Sequence, residues 1–131
     1  MEKITRIKFP THIDERGQLS VVELNNYIDW VPRRIYYLTD VKMDRGGHAV
    51  RGEKKIYICM QGTMTAKMHD GDKWQEFKMK GPDDALIMNE MCWREFTDFS
   101  EGSVLMAISS VNYEKDKYIF DMDQFLLESK S

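Results

Sequence analysis

The chain has 131 residues, 42% of them hydrophobic and 31% charged, with a net charge of −3 at pH 7, the balance of a soluble globular protein large enough for a genuine core. No basic block offers a nucleic-acid surface, and no apolar run approaches the roughly 20 residues of a membrane span. The first residues, Met1 to Arg6, lack the apolar centre of a signal peptide, so a cytoplasmic protein is expected.

Residues 4–9 alternate as a strand that Pro10 ends, and Asp14-Glu15-Arg16-Gly17 reads as a turn. Residues 18–24 resume the alternation, and 33–41 are rich in Ile, Tyr, Leu and Val, good strand material. Ile56 to Met60 and Thr63 to Met68 read as a hairpin-like pair around Gln61-Gly62. Asp70-Gly71-Asp72 marks a tight turn before Trp74 to Met79, and Gly81-Pro82-Asp83-Asp84 breaks that strand. Strands follow at 85–88, 92–97 and 103–110. Only the end is helical, with Asp121 or Asp123 capping a short turn that carries Phe125 and Leu126. Short strands at regular spacing, without repeats or linkers, predict one all-β sandwich or barrel domain over 1–131. Ten methionines read as adaptable core filling. Cys59 and Cys92, in no CxxC spacing, read as buried or half-buried thiols rather than a disulfide.

The chemistry concentrates in Arg45-Gly46-Gly47-His48-Ala49-Val50-Arg51. His48 and Val50 share one face of a strand, towards the interior, and an imidazole titrating near pH ~6.5 suits proton transfer at neutral pH. Arg34, Tyr36 and Leu38 alternate on one face of a neighbouring strand with Tyr37 on the other, and which tyrosine points inward stays open. Arg16, Arg34, Arg45 and Arg51 are candidate phosphate ligands, because guanidinium groups bind phosphate oxygens in bidentate fashion. Trp93, Tyr57 and Phe99 offer flat stacking surfaces, while Trp30 and Trp74 read as packing or interface residues. Glu23, Glu53 and Asp98 are carboxylates able to orient His48, and nothing in their spacing selects among them.

The order of short motifs is more specific than any one of them: Asp-Glu-Arg-Gly-x-Leu (14–19), Pro-x-Arg-Ile-Tyr-Tyr (32–37), Arg-Gly-x-His-Ala (45–49) and Ile-Cys-Met-x-Gly-Thr (58–63). Trp93 then precedes Asp98-Phe99-Ser100, and Tyr113 to Phe120 closes with Asp121. From about residue 5 to residue 125 the chain resembles the cupin-fold sugar-nucleotide 3,4-ketoisomerases, which act on dTDP-4-keto-6-deoxyglucose. The resemblance implies a jelly-roll β-barrel, a homodimer, a dTDP-linked keto-deoxysugar bound at the barrel mouth, and neither metal nor cofactor. It gives His48 the carbon-to-carbon proton shuttle, makes Tyr36 the candidate hydroxyl partner, and places Trp93 and Arg94 beside the sugar. The product would feed deoxyamino-sugar synthesis for a bacterial surface glycan such as an O-antigen or S-layer glycan.

Two positions depart from that family's pattern. Val50 stands where a second histidine is usual, and Lys55 where many members carry Gln. The alternatives are therefore a 3- or 5-epimerase, which shares the first deprotonation, or a nucleotide-sugar-binding cupin impaired by Val50. A metal site would need two or three histidines and a carboxylate; His48 and Glu53 are the only local candidates, with His12 and His69 in distant turns.

Overall fold

The computed structural model describes residues 2–130. Its strands are β1 (Ile4–Lys8), β2 (Thr11–Asp14), β3 (Gly17–Ser20), β4 (Arg34–Thr39), β5 (Arg45–Val50), β6 (Lys55–Gln61), β7 (Thr63–His69), β8 (Trp74–Lys80), β9 (Asp84–Met88), β10 (Trp93–Thr97), β11 (Val104–Ser109) and β12 (Tyr118–Ile119), followed by the helix α1 (Met122–Ser129). They form two antiparallel five-stranded sheets, ordered β1-β9-β6-β11-β4 and β12-β5-β10-β7-β8, with β2-β3 as a separate hairpin. From β4 onwards the chain passes back and forth between the two sheets, save for the β7-β8 hairpin within the second, the jelly-roll arrangement that the family resemblance implies. No helix among the described residues is long and apolar enough to cross a membrane.

Residues 56–60 and 63–68 are not a hairpin. β6 lies in the middle of the first sheet between β9 and β11, and β7 pairs with β8 and β10 in the second. The near-continuous burial from Lys55 to Cys59 fits a strand covered on both faces. Gly62, at φ 76°, carries the chain from one sheet to the other where a Cβ would meet Ser100 Oγ at 2.5 Å. The strand expected over 18–24 ends at Ser20. Beyond it Val22 and Leu24 turn onto the outer face of the first sheet, and a single 3-10 turn runs over Leu24–Asn26.

Three apolar clusters hold the layers together. Inside the barrel, Met64, Met68, Met79 and Met88 pack with Leu86, Phe96 and Leu105, so flexible thioethers fill the tapering interior. Outside the first sheet, Ile56, Ile58, Ile87 and Ile108 are covered by Val22, Tyr27 and Trp30. Outside the second, Ala49, Trp93 and Ile119 are covered by Phe125 of α1. Asp121 caps that helix, accepting from the Asp123 N–H at 3.1 Å. Cys59 and Cys92 are both buried and unbridged. Trp74 is half exposed, edge-on to His69.

Candidate active site

Antiparallel register lines up side chains in rows across the inner face of the first sheet. Arg34, Ser109 and Lys55 form one row, Tyr36, Ala107 and Tyr57 the next, and Leu38 and Leu105 continue towards the methionines. β11 contributes only a hydroxyl and a methyl to the first two rows. The long polar side chains of β4 and β6 therefore meet above it. Lys55 Nζ donates to Tyr36 Oη at 2.9 Å and lies 5.2 Å from the centroid of the Tyr57 ring. From the opposite sheet, β5 and β10 bring His48 and Arg94 in as directly paired residues. Gly46 permits this closeness, because a Cβ there would lie 2.6 Å from the Arg94 carbonyl oxygen.

Glu53, in the turn between β5 and β6, is 1% exposed and binds the group together. It accepts from Arg94 Nη2, and from Ser109 Oγ at 2.7 Å. Lys55 Nζ lies 3.2 Å and Arg34 Nη2 3.6 Å from the same carboxylate. One carboxylate thus faces three cations, so the cluster carries excess positive charge from its two arginines alone and more when Lys55 is protonated.

Above it lies a small cavity of ≈ 60 Å³ walled by Tyr36, Leu38, Arg45, Gly46, His48, Tyr57, Arg94, Phe96 and Leu105, enough for only a few waters. Tyr118 and Phe120 shield the imidazole, with ring centroids 4.9 and 5.8 Å from that of His48. A larger groove of ≈ 290 Å³ runs along the β2-β3 hairpin from His12 to Leu19, but its walls are exposed. Among the described residues no three His, Cys, Asp or Glu side chains converge to hold a metal ion.

The chamber shifts the proton affinities of its groups. Burial, then the charges of Arg94 and Lys55, push His48 down to about 4, against a backbone hydrogen bond with Gly46 and the charge of Glu53. Burial and Arg94 bring Lys55 down to about 7, with Glu53 opposing. Burial raises both Tyr36 and Tyr57, so both phenols keep their protons. Burial works against the Glu53 carboxylate, but Arg94 and Lys55 outweigh it and hold the group below its ordinary range. The site at neutral pH therefore presents an uncharged imidazole, two phenols and a lysine divided between its two forms.

A family model described as FdtA: WxcM-like, C-terminal, matches residues 2–130. The chain belongs to this family. A TDP-4-oxo-6-deoxy-alpha-D-glucose-3,4-oxoisomerase of Aneurinibacillus thermoaerophilus is 33% identical over 121 residues, covering 91% of this chain and 87% of the relative. A crystal structure of a 3,4-ketoisomerase from Helicobacter canadensis superimposes with a TM-score of 0.90 at 29% identity, covering 100% of both chains. A histidine-to-asparagine mutant of the 3,4-ketoisomerase QdtA from Thermoanaerobacterium thermosaccharolyticum, in complex with TDP-4-keto-6-deoxyglucose, gives 0.89 at 28% identity and covers 99% of this chain and 96% of that one.

In this FdtA-family chain the fold brings His48, Tyr36, Arg45 and Arg94 around one cavity. Tyr36 is the inward tyrosine, and Tyr37, at 65% exposure, faces out. Arg94 turns inward to Glu53, rather than pairing on the surface with Glu95 or Asp98. Arg34 lies behind Tyr36, its guanidinium 5.2 Å from the ring centroid. Tyr57 forms part of the wall, edge-on to Phe96 at 4.7 Å, and Phe99 packs against the inner apolar cluster.

Three expected residues lie elsewhere. Trp93 occupies the opposite face of β10, under α1, with Nε1 donating to Glu95 at 2.9 Å. Strand alternation allows only one of Trp93 and Arg94 inside, and Arg94 takes that place. Arg51 leaves the cavity for α1, where it donates to the Glu128 carboxylate at 2.6 and 2.8 Å and to the Asp116 carbonyl. Arg16 sits exposed at the tip of the β2-β3 hairpin, paired with Asp14 at 2.7 Å and away from the pocket of its own chain.

Sequence reasoning left Glu53 unselected among three carboxylates, and passed over Lys55 and Ser109 as partners. For Lys55 a signal existed: with Tyr57 and Cys59 inward on β6, period-two alternation places position 55 inward too.

Proposed function

We propose that this chain is a sugar-nucleotide 3,4-ketoisomerase that converts dTDP-4-keto-6-deoxyglucose to its 3-keto isomer through an enediolate. The observation that carries the reading is an uncharged imidazole and a protonated phenol on the walls of one small, cation-rich cavity. The activities named for the Aneurinibacillus relative and for QdtA support the choice of substrate.

In this reading His48 removes the proton from C3, and the electron pair forms the C3–C4 double bond. The electrons of the C4 carbonyl pass to O4, which takes a proton from Tyr36. O3–H then returns a proton to the Tyr36 oxygen, C3 becomes the ketone, and His48 delivers its proton to C4. C3 and O3 each lose a hydrogen while C4 and O4 each gain one, so no oxidant is consumed.

An imidazole as acidic as His48 is a weak base alone, and the cavity compensates. A negative charge roughly 4 Å away at an effective dielectric of about 20 stabilises an imidazolium by about 4 kcal/mol. That is close to the energy separating a pKa of about 4 from neutral pH. The base thus strengthens as the enediolate forms, while Arg94 and the excess positive charge stabilise the oxyanion itself. Arg94 Nε, buried and without a hydrogen-bond partner among the described residues, is a further donor held in reserve.

Arg45, exposed at the rim, takes the diphosphate. The hairpin carries Ile13 and Leu19 at 72% and 64% exposure, surface that a homodimer would cover, placing Arg16 at a partner's site. The enzyme then works in the cytoplasm, supplying a keto sugar for deoxyamino-sugar synthesis.

The test is incubation with dTDP-4-keto-6-deoxyglucose in deuterated buffer, followed by NMR of the sugar. The expected result is the 3-keto product, carrying solvent deuterium at C4 only in the fraction of turnovers in which the His48 proton exchanges before delivery, and abolished by His48→Asn without loss of dTDP affinity. Bound but unchanged substrate, or a His48→Asn variant at full rate, overturns the proposal.

A further inference from the structure

The cavity holds one imidazole, and a keto–hydroxyl exchange moves protons on oxygen as well as on carbon. Val50, the next residue on the face of His48, is buried and carries no titratable group. We propose that Lys55 acts through the Tyr36 hydroxyl as the proton reserve for the sugar oxygens, a positioning residue that completes a Lys55–Tyr36 relay beside His48. This rests on the 3,4-ketoisomerase reading above.

The geometry is direct. Lys55 Nζ is fully buried and donates to Tyr36 Oη at 2.9 Å, while Tyr36 itself lines the cavity. With Lys55 donating to the Tyr36 oxygen, the phenol's own hydrogen is left for the occupant of the cavity. When Tyr36 gives that hydrogen to O4, the Lys55 ammonium passes one to the phenol oxygen, so no bare phenolate persists in the chamber. When O3–H yields its proton to Tyr36, the lysine recovers its own, and the relay ends as it began.

The groups around the lysine fit the task. It faces Arg34 and Tyr36 from β4, His48 from β5, Tyr57 from its own strand, Arg94 from β10, and, as the one anion among the described residues it pairs with, Glu53. Burial and Arg94 depress its proton affinity to about 7 while Glu53 restrains the fall, so it exchanges protons readily near neutral pH.

The experiment compares pH profiles of kcat for wild type, Lys55→Gln, Tyr36→Phe and the double variant on dTDP-4-keto-6-deoxyglucose. Because the ammonium form feeds the relay, wild-type kcat falls above an apparent pKa near 7. In Lys55→Gln that alkaline limb disappears and kcat drops about a hundredfold or more, the usual range for lost acid–base assistance, with KM changed less than about twofold. Tyr36→Phe gives the same losses, and the double variant is no slower than the worse single, as expected of groups acting as one unit. A Lys55→Gln variant that keeps the alkaline limb or the wild-type kcat overturns the relay, as do single losses that multiply in the double variant. Should Lys55→Gln fail to fold, Tyr36→Phe decides, since it leaves Lys55 in place and must lose the same limb. Wild type that turns nothing over refutes the ketoisomerase reading, a result distinct from all of these.

Discussion

Replacing Glu53 with Gln removes the carboxylate that faces Arg34, Lys55 and Arg94 while preserving shape. Glu53 and Arg94 are each 1% exposed, and breaking a buried pair by neutralising one partner costs about 3–5 kcal/mol. The lower end is expected, because Lys55 can shed its proton and Arg94 cannot. For 131 residues each kcal/mol shifts Tm by roughly 3–5 °C, between the ranges for smaller and larger domains, so Tm should fall by roughly 10 °C. The loss also depends on pH. The folded-state pKa of Lys55 is depressed from 10.5 to about 7, so the unfolded chain binds the extra proton between those values, and stability from this group rises with pH across them. Removing Glu53 lowers that folded pKa further, so the part of the penalty that acts through Lys55 grows below pH 7 and fades above it. Thermal unfolding at pH 6, 7 and 9 is the assay. A Glu53→Gln protein within about 2 °C of wild type at all three refutes the idea that this carboxylate binds the chamber together.

Two further outcomes follow from the same geometry. The folded-state pKa of His48 is depressed from 6.5 to about 4, so stability present above pH 6.5 is lost as pH falls through that window. The loss is on the order of 3 kcal/mol and should be missing from His48→Asn, so denaturant unfolding curves of the two proteins that stay parallel from pH 7 to pH 4 contradict it. Gly46→Ala should destabilise the chain by about 2–3 kcal/mol, combining a left-handed backbone with a backbone clash, and should lower turnover by separating His48 from Arg94. Gly47→Ala, also at positive φ but with nothing within 4 Å of the added Cβ, should cost only about 1 kcal/mol; equal losses for the two in denaturant melts rule out the clash.

The sequence carried the all-β sandwich-or-barrel class because its strands are short, regularly spaced and separated by Gly, Pro and Asp turns, a pattern that survives without knowing which strand meets which; the jelly roll itself came with the family resemblance. Pairing was less legible. Gln61-Gly62 has the chemistry of a hairpin turn, but the glycine there serves a passage between sheets, and only the burial of β6 on both faces reveals it. His48 was readable because alternation places it locally, whereas alternation put Tyr36 and Tyr37 on opposite faces without saying which turned inward, and only the packing of the first sheet decides it. Arg51 and Trp93 were misplaced for one shared reason: α1 packs over the outer face of the second sheet and draws both towards itself, and a helix at the far end of the chain leaves no mark on the local pattern around residues 51 and 93. Glu53 was beyond reach since its partners come from β4, β6, β10 and β11, strands scattered over the length of the chain.

Ala107 and Ser109 touch no proton in the proposed chemistry, yet the chamber exists because they are small. An added methylene at Ala107 would intrude where the tyrosine rings converge without replacing a single charged group, and one at Ser109 would also disturb its bond to Glu53. The room in which the reactive residues meet is thus set by two side chains that take no part in the reaction, and a larger one at either place would close it.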